Sequence, residues 1–169
     1  MWRTLGFNHV MGRDDTDRGA RMTHRGVDRD LKRKRPLVSV VEDDPHFRES
    51  MKKLLTSLGY KVEVFASAAD FLASRHLRRA ACLIADINMR FMTGVELYAH
   101  LVERGDAIPT ILMTAYVDVA VRDKALKDGV IGYLRKPIDE EHLKRCLRAA
   151  IGPGELGRQL TASLPLPMA

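Results

Sequence analysis

The sequence predicts an open, doubly wound α/β sheet of five parallel strands, and three observations predict it. Five short runs rich in β-branched or other apolar residues recur between residues 36 and 151, each too short for a helix. Each run is followed by a stretch with apolar residues at helical spacing, bounded by capping residues or glycine. Strands that alternate with helices in this way must run parallel and be joined by right-handed crossovers, which covers both faces of one sheet.

Leu37–Val41 is the first strand; it ends in Glu42-Asp43-Asp44, and Pro45 follows. An acid ahead of Pro at the first helical position is a helix-start signal. Phe47, Met51, Leu54, Leu55 and Leu58 then recur at helical spacing, and Gly59 closes the helix. Tyr60–Phe65 reads as the second strand, and Ser67 caps a helix through about Arg75. Ala80–Ala85 is a buried strand that stops at Asp86. The loop Ile87–Thr93 leads to Gly94 and a helix carrying Leu97 and Leu101. Ile108–Met113 is the fourth strand, with Thr114 at its end. Val117–Lys127 is a helix stopped by Gly129, Val130–Leu134 the fifth strand and Ile138–Ile151 the last helix.

The net charge of +6 belongs to the leader. Residues 1–35 hold ten Lys and Arg against five acids, and the rest of the chain holds eighteen against seventeen. The leader shows no sustained period and too little apolar surface to offset chain entropy, so residues 1–35 are expected to be a disordered basic leader. Its end, Leu31-Lys-Arg-Lys-Arg-Pro36, has the composition of a nucleic-acid or nuclear-localisation patch, although a solvated charge run is the plainer reading. Translation from Met11 or Met22 would remove much of it. The expected domain spans residues 36–151, and residues 152–169, with three prolines, are expected to be a flexible tail. No DNA-binding domain is expected after the last helix.

No run of about 18 apolar residues is present, so no membrane span is predicted, and the N-terminus lacks a secretory core. A cytoplasmic protein is expected. Cys82 and Cys146 each lie in an apolar-periodic segment, which suits small buried hydrophobes in a reducing compartment. No Cys/His spacing suits Zn²⁺ or an iron–sulfur cluster.

In open α/β sheets, functional side chains gather outside the carboxyl ends of the strands. Those ends carry Glu42 and Asp43, Asp86, Thr114 and Lys136. Three carboxylates in one cleft repel unless protonated or bridged by a cation. A hard, oxygen-rich site suits Mg²⁺. One carboxylate can then attack a phosphoryl group, because such transfer needs mainly positioning and charge stabilisation, with an acyl phosphate on Asp as the product.

With these residues in order, the chain resembles the receiver domain of bacterial response regulators. The resemblance covers about Pro36 to Ile151. It rests on Val40-Val-Glu-Asp-Asp-Pro45, on Leu83-Ile-Ala-Asp-Ile-Asn-Met89 followed by Thr93-Gly94, on Leu112-Met-Thr-Ala115 and on Tyr133-Leu-Arg-Lys-Pro137. It implies a flavodoxin-like strand order of 2-1-3-4-5. It also implies that Asp86 is the phosphoacceptor and a Mg²⁺ ligand, that Asp43 ligates the ion directly and that Glu42 acts largely through a water. The main-chain carbonyl of Asn88 completes the protein ligands. Thr114 and Lys136 each meet a phosphoryl oxygen, Lys136-Pro137 forms a cis turn, and Tyr133 is the aromatic that moves inward as Thr114 shifts. His46 and His142 lie on helical faces and are assigned no role.

The implied partner is a sensor histidine kinase or a histidine phosphotransfer protein. Signalling is expected through a change of shape around the fourth helix and fifth strand that alters protein contacts, with a homodimer as one form the phosphorylated state can take. The downstream target is not identified, and no membrane or nucleic-acid partner is expected. Ala69-Asp-Phe-Leu72 and Asp118-Val119 are similar to receivers that precede LuxR-type DNA-binding domains, and here a stand-alone receiver without that output module is expected. The protein is not expected to be a turnover enzyme beyond its own modification and hydrolysis. An alternative is a DNA-binding regulator that uses the basic leader as output, recognisable by salt-dependent binding lost with residues 1–35. A haloacid-dehalogenase-like phosphatase would want Asp-x-Asp, where this chain has Asp86-Ile-Asn88. Two departures from the family pattern stand out. Arg90 takes the place of the usual Pro, and bulky Tyr116 follows Thr114 by two residues, where it is expected to shield the acyl phosphate and lengthen its life.

Overall fold

The computed structural model describes residues 35–152. The expectations about the basic leader, its alternative starts and the C-terminal tail lie outside the described residues, apart from Arg35 and Gly152. Five parallel strands form one sheet: β1 (Leu37–Val41), β2 (Lys61–Phe65), β3 (Cys82–Asp86), β4 (Thr110–Thr114) and β5 (Gly132–Arg135), in the order β2-β1-β3-β4-β5. The helices between them are α1 (Pro45–Ser57), α2 (Ala68–Leu72), α3 (Gly94–Glu103), α4 (Val119–Lys127) and α5 (Glu140–Ile151). Order and direction agree with the sequence expectation. Among the described residues no helix is long and apolar enough to cross a membrane.

Alternation along each strand splits the core into two layers. Val38, Val40, Cys82, Ile84, Ile111, Met113 and Leu134 pack with Met51, Leu55, Leu143 and Leu147 under α1 and α5. Val41, Leu83, Ala85, Leu112 and Tyr133 pack with Phe71, Leu97, Leu101 and Ala125 under α2, α3 and α4. Because β3 lies in the middle of the sheet, all five of its residues are buried. Cys82 and Cys146 are free and buried in the first layer, and burial pushes both thiols up, so they act as packing atoms.

The helix starts follow their capping residues. The Asp44 carboxylate accepts from the Phe47 N–H at 2.8 Å, with Pro45 opening α1. Thr93 and Glu96 form a reciprocal capping box at α3. Asp118 caps α4 and Asp139 caps α5, so those helices begin later than their apolar pattern suggests.

Four other boundaries differ from the sequence reading, for local reasons. α2 ends at Leu72 instead of about Arg75, because Ser74 offers the backbone another partner. Its hydroxyl accepts from the His76 N–H at 3.1 Å, and a 3-10 turn over Leu77–Arg79 buries Leu77. β4 starts at Thr110 because Pro109 has no N–H for the ladder, although Ile108 is buried ahead of it. β3 and β5 likewise start two residues late, as the half-buried Ala80 and Ala81 and the apolar Val130 and Ile131 ahead of them read like strand. The shift puts Asp86 and Thr114 inside their strands as the last paired residues, opposite Met113 and Arg135.

Candidate functional site

Parallel pairing sets Val41, Asp86, Thr114 and Arg135 at the carboxyl ends of their strands, so the residues after them share one rim. The Glu42 N–H is held by the Phe65 carbonyl at 3.1 Å, which continues the β1–β2 ladder one residue into the acidic turn. Arg48 on α1 donates to the Glu42 carbonyl at 2.7 Å and to the Asp43 carbonyl at 3.3 Å. That turn is therefore fixed by main-chain bonds, and its two acids are presented from a rigid support.

Glu42, Asp43 and Asp86 each place a carboxylate oxygen within 4.8 Å of the others. Glu42 and Asp86 are buried, at 1% and 4% exposure, while Asp43 is open to solvent. Lys136 enters the cluster from the turn after β5. Its ammonium meets Glu42 Oε2 at 2.7 Å and Asp86 Oδ1 at 2.9 Å. The Lys136–Pro137 peptide is cis, as the resemblance implied.

Burial pushes the Glu42 carboxyl above its ordinary value, against the lowering effect of the Lys136 hydrogen bond and with Asp86 adding to the rise. For Lys136 burial works the other way, toward neutrality, and the bonds and charges of Glu42 and Asp86 outweigh it, so the ammonium is held more firmly protonated. One ammonium against three carboxylates leaves an excess of negative charge in a half-enclosed cleft. This donor set, all oxygen and partly open through Asp43, fits a hard divalent ion such as Mg²⁺. Both Glu42 oxygens already have protein partners, Lys136 and the Asp44 N–H at 3.2 Å, which suits contact through water better than direct ligation.

The remaining candidates stand around this cluster. The Asn88 N–H donates to Asp86 Oδ2 at 3.1 Å, so each acceptor oxygen has one donor. The Asn88 side-chain amide donates to Thr114 Oγ1 at 3.2 Å, which ties Thr114 to the same rim. The Thr114 hydroxyl itself is turned to its own loop and donates to the Tyr116 carbonyl at 2.8 Å. Tyr133 is not in the cleft. It lies buried in the layer under α4, where burial first, and the Asp118 charge second, push its phenol up. Tyr116 is 83% exposed, so its ring stands outside the cleft. His46 is exposed and His142 half-buried, and neither reaches the cluster's bonds.

Gly94 is required by the geometry rather than by flexibility. A Cβ there would lie 2.5 Å from the Asp86 carbonyl oxygen and 3.2 Å from Leu112, so the start of α3 can abut Asp86 only without a side chain. In the preceding loop, Phe91 is fully exposed and adopts φ +67, a left-handed conformation that costs a non-glycine residue energy. This is one residue past Arg90, where the family pattern has proline.

Sequence reasoning missed Phe47 and Arg48. Phe47 reads as one more apolar position of α1, yet Lys136 Nζ lies 4.2 Å from its ring centroid. Arg48 reads as a surface charge of α1. Its only sequence signal is its place one turn beyond an acidic strand end.

A model of the response regulator receiver domain matches residues 38–148. The response regulator protein TodT of Pseudomonas putida strain F1 is 34% identical over 115 residues, 68% of this chain and 51% of that protein. The transcriptional regulatory protein FixJ of Azorhizobium caulinodans is 37% identical over 123 residues, 72% of this chain and 58% of that protein. The chain thus spans about half the length of the curated relatives it matches. Among solved structures, the response regulator StyR superposes with a TM-score of 0.67 at 35% identity, over 76% of this chain and 65% of that one. FixJ-N superposes with a TM-score of 0.61 at 27% identity, over 78% of this chain and 97% of that one.

Proposed function

Because the chain belongs to the response regulator receiver domain family, we propose that Asp86 accepts a phosphoryl group at the rim built by Glu42, Asp43, Thr114 and Lys136. Receiver domains serve phosphorylation-based two-component signalling and are phosphorylated by histidine kinases. The single observation that carries the assignment is the Lys136 ammonium bridging Glu42 and Asp86 beside a third carboxylate.

In this reading Asp86, Asp43 and the Asn88 carbonyl would hold Mg²⁺, with Glu42 acting through a water. The ion would supply charge neutralisation between the acceptor carboxylate and the incoming phosphoryl oxygens. Asp86 attacks phosphorus, and the donor's leaving group departs with the bonding pair. Lys136 keeps its protons and passes from the Asp86 carboxylate to a phosphoryl oxygen. Thr114 exchanges the Tyr116 carbonyl for another phosphoryl oxygen, and Tyr133 follows into the space it leaves. The donor is a sensor histidine kinase or a histidine phosphotransfer protein, and the output is an altered protein-contact surface around α4 and β5, including dimerisation. Likeness to receivers that precede LuxR-type domains supports an ancestry among transcriptional regulators, in keeping with the name of the FixJ relative.

Acetyl phosphate with Mg²⁺ tests the reading. The full chain is expected to incorporate phosphate, Asp86→Asn none, and beryllofluoride with Mg²⁺ to shift the amide resonances of α4 and β5. Equal incorporation by Asp86→Asn would overturn the assignment.

A further inference from the structure

We propose that Phe47 is a positioning residue for phosphoryl transfer, its ring face holding the Lys136 ammonium over the acidic cleft. The inference rests on the reading of Asp86 as acceptor. A lysine carries a compact charge on a flexible stem, so what fixes its head decides where the charge acts. Lys136 Nζ has three N–H donors; Glu42 Oε2 takes one at 2.7 Å and Asp86 Oδ1 another at 2.9 Å. The Phe47 ring covers the ammonium at 4.2 Å from its centroid, with the negative face of its quadrupole toward the charge.

The ring is built into the turn that carries the acids. The Phe47 N–H donates to the Asp44 carboxylate at 2.8 Å, and the Asp44 N–H donates to Glu42 Oε1 at 3.2 Å. One run of contacts therefore joins Glu42, Asp44, Phe47, Lys136 and Asp86. Phe47 is also half-buried against the layer under α1, so its ring is held from behind.

The contact matters at the moment of transfer. As an Asp86 oxygen bonds to the phosphorus of acetyl phosphate, the bond from phosphorus to the acetate oxygen breaks and acetate leaves with the electron pair. Asp86 then no longer offers Lys136 a full carboxylate charge. The phosphoryl oxygens take its place as partners of Lys136, and Glu42 competes with them for the ammonium. The ring adds attraction that does not change with the chemistry and keeps the ammonium beside the new phosphoryl oxygens.

The test uses the full chain as wild type, Phe47→Leu, Phe47→Tyr, Lys136→Met and the Phe47→Leu/Lys136→Met double variant. Leucine keeps the packing and removes the aromatic face. NMR of the Lys136 ε-methylene protons is expected to show an upfield ring-current shift in wild type and Phe47→Tyr, lost in Phe47→Leu. With acetyl phosphate and Mg²⁺, Phe47→Leu is expected to lower the maximal rate about fivefold at an unchanged half-saturating concentration. Phe47→Tyr restores it, and Phe47→Leu costs nothing further once Lys136 is Met. Ordinary ε-proton shifts in wild type, a wild-type rate in Phe47→Leu, or an equal loss without Lys136 would each overturn the inference while leaving the acceptor assignment standing. A wild-type chain that takes no phosphate would overturn the assignment itself.

Discussion

At the scale of single residues, burial of polar groups is where the fold and the site part company. Glu42, Asp86 and Thr114 are buried but partnered, and their partners are one another's neighbours at the rim. Ser39 in β1 is buried at 1% exposure with a hydroxyl that has no hydrogen-bond partner among the described residues. A buried hydroxyl left unbonded costs about 1–3 kcal/mol. Ser39→Ala is therefore expected to raise unfolding free energy by about 1 kcal/mol in urea titrations; a loss of stability would show that the hydroxyl is satisfied. The acids, Thr114 and Lys136 were legible in the sequence because strand ends in a parallel sheet converge. Phe47 and Arg48 were not, because their contacts depend on which way one turn of α1 faces.

At the scale of elements, α3 is the support of Asp86. Its first residue, Gly94, abuts the Asp86 carbonyl, and the Gly94 N–H donates to the Ile87 carbonyl at 3.2 Å. The capping box fixes that end. Thr93→Ala removes a side-chain cap and is expected to cost about 1 kcal/mol, read as a lower melting temperature. The backbone N–H of Thr93 first, and its hydroxyl second, hold the Glu96 carboxyl below its ordinary 4.5. A depressed carboxyl contributes stability above its unfolded-state value and loses it as pH falls through the folded one. Glu96→Gln should thus be less stable than wild type at neutral pH, with the gap closing below about pH 4. A gap that persists in acid would mean that charge is not the cause. Element order and type were readable from periodicity, whereas starts were less so: Ile108 and Val130 are buried without being paired, and burial alone looks like strand.

At the scale of the whole molecule, the helices differ in how firmly they are held. α5 buries Leu143, Cys146, Leu147 and Ala150, while α4 buries only Ala125 and leaves Val119, Val121 and Leu126 exposed. An element with little buried apolar surface opens at low free energy. Hydrogen exchange is expected to be faster along α4 than along α1 or α5, and to slow in α4 with beryllofluoride and Mg²⁺; equal protection of the three helices would remove α4 as the responding element. Tyr133 lies under that helix, and Thr114 directly precedes the loop into it and bonds Tyr116 there, so both ends of the proposed change meet at α4. The most direct test of the account is to phosphorylate the chain with acetyl phosphate and Mg²⁺, reduce with borohydride, and map the product by mass spectrometry. An aspartyl phosphate is reduced to homoserine, and the account predicts homoserine at position 86 alone, absent without Mg²⁺. Homoserine at another carboxylate, or none at 86 in a chain that has taken up phosphate, would contradict it.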